Sequence, residues 1–131
     1  MLRIFIIVPV LLIPLKSIAE TLVLEKRSYT YNGVTTNFVL EVDVTDIEET
    51  LKLDPVKDKL PLSMQKAIQL ATSAYKEEYG KEPLGVASVT LTHFSSWDYN
   101  DRWYFLVDLN GNPSVQAAVL FNEKVVLPRK I

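Results

Sequence analysis

The feature that most constrains this chain is a change in the spacing of its apolar residues, from every second residue to every third or fourth and back again. Apolar and polar residues alternate from Thr21 to Thr45 and again after Pro83, which is typical of half-buried strands. Between them, Ser63 to Tyr79 has the period of an amphipathic helix. One helix between two groups of strands predicts an α+β domain.

The first group of strands reads as a hairpin. Thr21 to Tyr31 and Val34 to Thr45 are separated by Asn32-Gly33, a pair that can adopt positive φ at both central positions of a tight turn. Such a turn matches the twist of paired antiparallel strands, so the two runs are predicted to pair with each other.

The helix has a signal at each end. Ser63 is a good N-cap, and Gly80 followed by Pro83 favours a left-handed stop. We expect the helix to lie across the sheet through Ile68, Ala71 and Tyr75. The predicted apolar stripe consists of Met64, Ala67, Ile68, Ala71, Ala74, Tyr75 and Tyr79.

Three further antiparallel strands are predicted after the helix: Val86 to Phe94, Arg102 to Leu109 and Val115 to Phe121. Trp103 alternates with Phe105 and Val107, which places it in the expected core. The prediction is an antiparallel sheet of about five strands with one long amphipathic helix packed on one face, in the order ββαβββ. The charged segment from Asp46 to Leu62 is interpreted as a surface connection with room for a short helical turn.

Residues 1–19 have the pattern of a secretory signal peptide. A basic Arg3 precedes an apolar run from Ile4 to Leu15, and Ser17-Ile18-Ala19 puts small residues at the third and last places before Glu20. The run is too short, and too interrupted by proline, to span a bilayer. Cleavage after Ala19 predicts a single domain of residues 20–131, without a stable membrane anchor, that is secreted or resides in a bacterial periplasm.

The net charge and the absence of cysteine limit which classes of partner and which cellular compartments fit this chain. All 16 acidic residues follow Ala19 but two of the 14 basic ones precede it, so the processed chain has a net charge of −4. This acidity argues against a nucleic-acid partner, which would call for a basic face. An exported chain without cysteine suits a bacterial envelope better than a eukaryotic extracellular space, where small domains are usually cross-linked.

No catalytic or cofactor motif stands out. Without cysteine, thiol catalysis and thiolate metal sites are excluded, and the four isolated glycines form no phosphate-binding loop. His93 is the only histidine, and its spacing indicates a strand residue near the sheet end. We therefore predict that the protein has no metal site, binds no cofactor and is not an enzyme. The alternative is a small hydrolase that uses His93 with Asp98 or Asp101.

One loop nevertheless has the composition of a binding site. Ser95 to Asp101 places Trp97 and Tyr99 among Ser, Asp and Asn, at what should be the exposed end of a hairpin. Large aromatic side chains anchor protein interfaces because they bury much area with few rotamers to freeze. The candidate binding residues are Trp97 and Tyr99 as anchors and Asp98 and Asp101 as a polar rim. The alternative is that Trp97 folds back over the sheet end as a local plug.

The region from Leu62 to Leu127, about half of the chain, resembles small PepSY-type and cystatin-like domains of the bacterial cell envelope. The resemblance rests on the helix opening Leu62-Ser63-Met64-Gln65-Lys66-Ala67-Ile68, the helix end Tyr75-Lys76-Glu77-Glu78-Tyr79-Gly80 and the strand Asp101-Arg102-Trp103-Tyr104-Phe105-Leu106-Val107-Asp108. It implies a non-enzymatic module that binds or restrains another protein, often a peptidase. The chain departs from these domains at Asn122-Glu123-Lys124, where their final turn contains Gly, and no family site residue is transferred.

These observations predict a secreted or periplasmic binding module, with a protein partner and an inhibitory or regulatory role toward an envelope protein or peptidase. A purely structural envelope component is the remaining alternative.

Overall fold

The computed structural model describes residues 20–131, so the predicted signal peptide of residues 1–19 lies outside the described residues. The domain is of the α+β class, as predicted. Its elements in chain order are β1 (Thr21–Tyr31), β2 (Val34–Asp43), α1 (Val44–Glu48), α2 (Met64–Tyr79), β3 (Gly85–His93), β4 (Trp103–Asn110), β5 (Val115–Leu120), β6 (Val125–Val126) and β7 (Arg129–Lys130).

The predicted hairpin is present. β1 and β2 pair in antiparallel fashion from Thr21 opposite Asp43 to Tyr31 opposite Val34. At the turn, Asn32 has a φ of 50° and Gly33 a φ of 76°, the positive values that this turn requires. β7 adds a short third strand on the other side of β2.

The helix begins and ends where the sequence predicted. The Ser63 hydroxyl accepts a hydrogen bond from the backbone N–H of Lys66, and Gly80 ends the helix at a φ of 70°. Its fully buried residues are Ala67, Ala71 and Tyr75.

The predicted helix face is wrong in one detail. Ile68 is only partly buried, and Leu70 packs against the buried cluster instead. The face that packs on the sheet therefore includes Leu70 and is centred on Ala67 and Ala71, whose small side chains allow close approach.

The second sheet has the strand order β3-β4-β5-β6, and both of its faces are covered. On β4, Phe105, Val107 and Leu109 pack with α2. Tyr104 and Leu106, on the opposite face, pack with Leu40 and Val42 of the hairpin. A sidedness of this kind follows from the alternation of side chains along a strand.

The predicted single sheet of about five strands is wrong. Residues 20–131 form two antiparallel sheets with seven strands, and the hairpin lies over the second sheet instead of extending it. The result is three layers: α2, the sheet β3-β4-β5-β6 and the sheet β1-β2-β7. Burial of both faces of the middle sheet against separate layers is the physical reason for this arrangement.

The segment after β2 is also more than a surface connection. α1 forms here, and Ile47 is completely buried in the cluster between the two sheets. Thr50 and Leu53 are buried as well. These three inward-facing residues stand among charged ones, so the sequence pattern does not indicate that they are buried.

Candidate functional site

The Ser95–Asp101 loop joins β3 to β4 and presents Trp97 to solvent. Trp97 is 91% exposed, so the alternative in which it plugs the sheet end is wrong. Asp98 is also exposed. A fully exposed tryptophan is uncommon in a soluble domain and marks a candidate contact residue.

Tyr99 occupies a different position from its neighbour. Its hydroxyl donates a hydrogen bond of 2.8 Å to Oε1 of Glu48, and its partly buried ring packs against the cluster between the sheets. The hydrogen bond to the Glu48 carboxylate raises the pKa of Tyr99 above its ordinary value, since it stabilises the protonated hydroxyl. Tyr99 thus fixes the loop to α1, and only part of its surface remains for a partner.

Arg102, directly after the loop, joins it to the same part of the chain. Its Nη1 lies 2.8 Å from the carbonyl oxygen of Ile47, 2.7 Å from that of Glu48 and 2.8 Å from that of Thr50. These carbonyl groups lie at the end of α1, where helix carbonyls lack intrahelical partners and favour a nearby cation. The guanidinium also stands 5.9 Å from the centre of the Tyr99 ring.

Asp101 belongs to the same junction. Its carboxylate is 3.6 Å from Nζ of Lys52, and its backbone oxygen accepts a hydrogen bond from the N–H of Leu53. Of the four predicted contact residues, Trp97 and Asp98 are therefore free in solvent, while Tyr99 and Asp101 hold the loop in place.

Two other large apolar residues are exposed on the segment to which this loop is bonded. Leu51 is 71% exposed and Val56 is 91% exposed. A cleft of about 180 Å³ adjoins Leu51. Its lining residues are Glu49, Thr50, Leu51, Pro61, Phe121 and Asn122. We use the name loop-end surface for the exposed side chains of Leu51, Val56 and Trp97 together with this cleft.

Trp103 is not a core residue, contrary to the prediction. It is only partly buried, and its indole meets the imidazole of His93 edge-on with the ring centres 5.3 Å apart. Strand alternation puts Trp103 on the helix-facing side of β4, but the buried cluster on that side begins at Phe105.

The geometry around His93 gives no support to the hydrolase alternative. Nδ1 of His93 lies 3.0 Å from the carbonyl oxygen of Phe94. Asp101 faces Lys52, and Asp98 is exposed. Among residues 20–131, no cluster of three or more His, Asp or Glu side chains has the arrangement of a metal site.

A groove that the sequence analysis did not predict lies at the opposite end of β4. It encloses about 410 Å³ between the hairpin tip, the end of α2 and the turn after β4. Its aromatic lining consists of Tyr29, Tyr31, Phe38 and Tyr79. These residues come from three separate elements, so only their shared aromatic character could have suggested it.

Comparisons with protein families, with curated proteins and with solved structures find no match for this chain. Over residues 20–131, none of the helices has the length and apolar character needed to span a bilayer.

Proposed function

We propose that residues 20–131 form an exported, non-enzymatic module that binds a protein partner through the loop-end surface, with Trp97 as the anchor. The observation that carries the proposal is the combination of a 91% exposed indole with a loop that is closed at its base by the hydrogen bond from the Phe94 N–H to the Arg102 carbonyl oxygen and joined to the α1 region through Tyr99 and Arg102. The resemblance to PepSY-type and cystatin-like domains favours the same class of function, including restraint of a peptidase.

Rigidity is the physical reason to prefer this surface. A partner that binds an already ordered loop does not have to offset the entropy of ordering it. Tyr99 and Arg102 hold the loop before any partner arrives, and Trp97 contributes a large contact area with only two side-chain torsions to restrict.

The composition of the surface also fits an interface. Interfaces commonly surround a central aromatic residue with apolar contacts and a polar rim. Leu51 and Val56 provide exposed apolar area, and Asp98 provides an exposed charge beside the anchor. In this proposal Tyr99 and Asp101 position the loop, and Trp97 and Asp98 contact the partner.

The test places an aromatic photo-crosslinking amino acid, which keeps a large ring at the anchor position, at position 97 and, as a control, at position 84 in cells that express the full chain. Leu84 is a suitable control because it is 87% exposed but lies beside Asn110, at the other end of β4. We expect one partner to crosslink from position 97 and not from position 84.

The affinity of that partner is then measured by calorimetry. Trp97→Ala should weaken binding by about 2 kcal/mol or more and change the free energy of unfolding by less than about 1 kcal/mol. Leu84→Ala should leave the affinity unchanged. Equal affinities for the wild type and Trp97→Ala would refute the proposal, as would unfolding of Trp97→Ala.

A further inference from the structure

The outer edge of β3 is a free strand edge without the usual protection. Within residues 20–131, β3 is the last strand of its sheet and pairs only with β4. Its nine residues, Gly85 to His93, include no proline and no Asp, Glu, Lys or Arg. Ala87, Ser88 and Thr90 are exposed. Natural domains usually protect such an edge with charges, proline or a bulge in its middle, because its unpaired N–H and C=O groups attract another strand.

β1, an edge strand of the other sheet, has protection of this kind. It carries Glu25, Lys26 and Arg27 at its centre, next to a bulge between Val23 and Glu25. The irregularity of β3, between Val86 and Ser88, lies near its start and leaves Ser88 to His93 in regular register. The β3 edge therefore lacks both the charges and the central bulge that β1 has.

The backbone groups available on this edge follow from the pairing with β4. The N–H of Phe94 donates to the carbonyl oxygen of Arg102 at 3.0 Å. Hydrogen-bonded residues alternate along an antiparallel strand, so Ser88, Thr90 and Thr92 bond to β4. Val89 and Leu91 therefore direct their N–H and C=O groups outward.

We propose that β3 pairs with β3 of a second copy of this chain, antiparallel, about a two-fold axis at Thr90. In this register Val89 faces Leu91 of the second copy, Ser88 faces Thr92, and Thr90 faces its own equivalent. From Ser88 to Thr92, apolar residues meet apolar ones and hydroxyls meet hydroxyls, with no like charges opposed. Only at the ends of the ladder does His93 face the small Ala87 of the second copy. The same patch serves both copies, as a two-fold interface requires.

Other registers are less suitable. A shift of the axis to Leu91 would place Val89 opposite His93 and Ser88 opposite Phe94. An axis midway between two residues would pair a residue whose N–H and C=O point outward with one whose N–H and C=O are already bonded to β4. The hydrogen bonds between the two copies could then not form. In the Thr90 register Val89 and Leu91, which pack against the α2 side of the core, continue that apolar layer into the second copy.

Self-association adds to the proposed binding function without depending on it. The Ser95–Asp101 loop follows β3 directly, so antiparallel pairing would put the two Trp97 side chains at opposite ends of the joined sheets. Such a dimer has two separate partner sites.

The test uses sedimentation velocity on protein purified from cells that express the full chain. The wild type should sediment as a dimer. Thr90→Lys and Thr90→Glu should each raise the dimer dissociation constant at least about tenfold, because like charges then oppose each other at the axis. An equal mixture of the two variants should restore a dimer that contains one copy of each.

Thr30→Lys is the matched control, because Thr30 is an exposed threonine on β1, the free edge of the other sheet. It should remain dimeric. Far-UV circular dichroism and urea midpoints verify that every variant is folded.

A wild type that stays monomeric up to millimolar concentration would overturn the proposal, as would a mixture of Thr90 variants that stays monomeric. Loss of the dimer in Thr30→Lys would indicate that the interface lies on β1, and this result would also overturn the proposal. Trp97→Ala should remain dimeric, and Thr90→Lys should still crosslink the partner from position 97, so the two proposals fail separately.

Discussion

Arg102 is the residue on which the proposed binding loop depends most. Its guanidinium reaches three carbonyl oxygens of the chain that leaves α1 and also faces the ring of Tyr99. Carbonyl oxygens at and after the end of a helix attract donors from outside it, and here the Arg102 side chain adds to the hydrogen bonds that Ile47 already accepts from Thr50. The loop and α1 thereby become a single unit.

Replacement of Arg102 by Met should show this directly. The variant keeps an unbranched apolar stem but leaves the three carbonyls without their charged donor. We expect the free energy of unfolding in urea to fall by about 2 kcal/mol. Arg129→Met is the matched control, because the Arg129–Glu41 ion pair lies on the exposed surface and should contribute little. Similar urea midpoints for both variants would contradict the assigned role of Arg102.

The two tryptophans show how much of the site could be predicted residue by residue. No strand period places Trp97 inside, so the sequence favours a contact residue there but leaves a local plug as the alternative. The alternation of Trp103 with Phe105 and Val107 predicts a core residue, yet Trp103 is only partly buried. Periodicity gives the face on which a side chain lies, but not how far along the strand a covering helix extends.

At the scale of elements, the parts with strong local signals were predicted correctly. The turn at Asn32-Gly33 and the caps at Ser63 and Gly80 depend on local backbone chemistry and lie where expected. The orientation of α2 was predicted less well, since Ile68 is only partly buried. Side-chain size near the contact sets that orientation, and it depends on the opposing sheet as well as on the helix.

The close packing of α2 against its sheet leads to a test at this scale. Ala71 is completely buried in the helix–sheet cluster, so Ala71→Leu should destabilise the domain by about 1 to 3 kcal/mol through overpacking. Ser73→Leu introduces the same side chain on the exposed side of the same helix and should change stability by less than about 0.5 kcal/mol. Urea titration measures both. Equal effects would mean that α2 presents another face to the sheet.

The arrangement of the whole molecule was the part that the sequence predicted least well. The predicted arrangement, one sheet with one helix on one face, gives each strand a single buried face. Five of the six residues of β5 are nevertheless buried, and the sixth, Gln116, has its carboxamide between Glu25 and Arg27 of β1. A strand apolar on both faces is typical of a sheet covered on both sides. This signal in Val115 to Leu120 favoured three layers, but it did not identify the hairpin as the third layer.

Contacts between distant parts of the chain complete that third layer. Arg27 of β1 donates two hydrogen bonds, of 3.1 and 3.4 Å, to the carboxylate of Asp108 on β4. The hydroxyl of Tyr29 donates to the carbonyl oxygen of Gly111. A single sequence gives no sign of such pairs, since their members are about 80 residues apart. The hairpin is consequently an integral part of the domain.

The position of the hairpin also bears on export, which remains a prediction. The backbone oxygen of Glu20 accepts a hydrogen bond from the N–H of Val44, and β1 begins at Thr21. Cleavage after Ala19 would therefore leave β1 and all the described hydrogen bonds intact. The mass of the protein recovered from its native host should equal that of residues 20–131. Ala19→Phe should block processing, because the last place before the cut requires a small residue. Glu20→Gln, one residue away, should be processed normally. Recovery of the wild type at full length from the membrane fraction would refute the signal peptide.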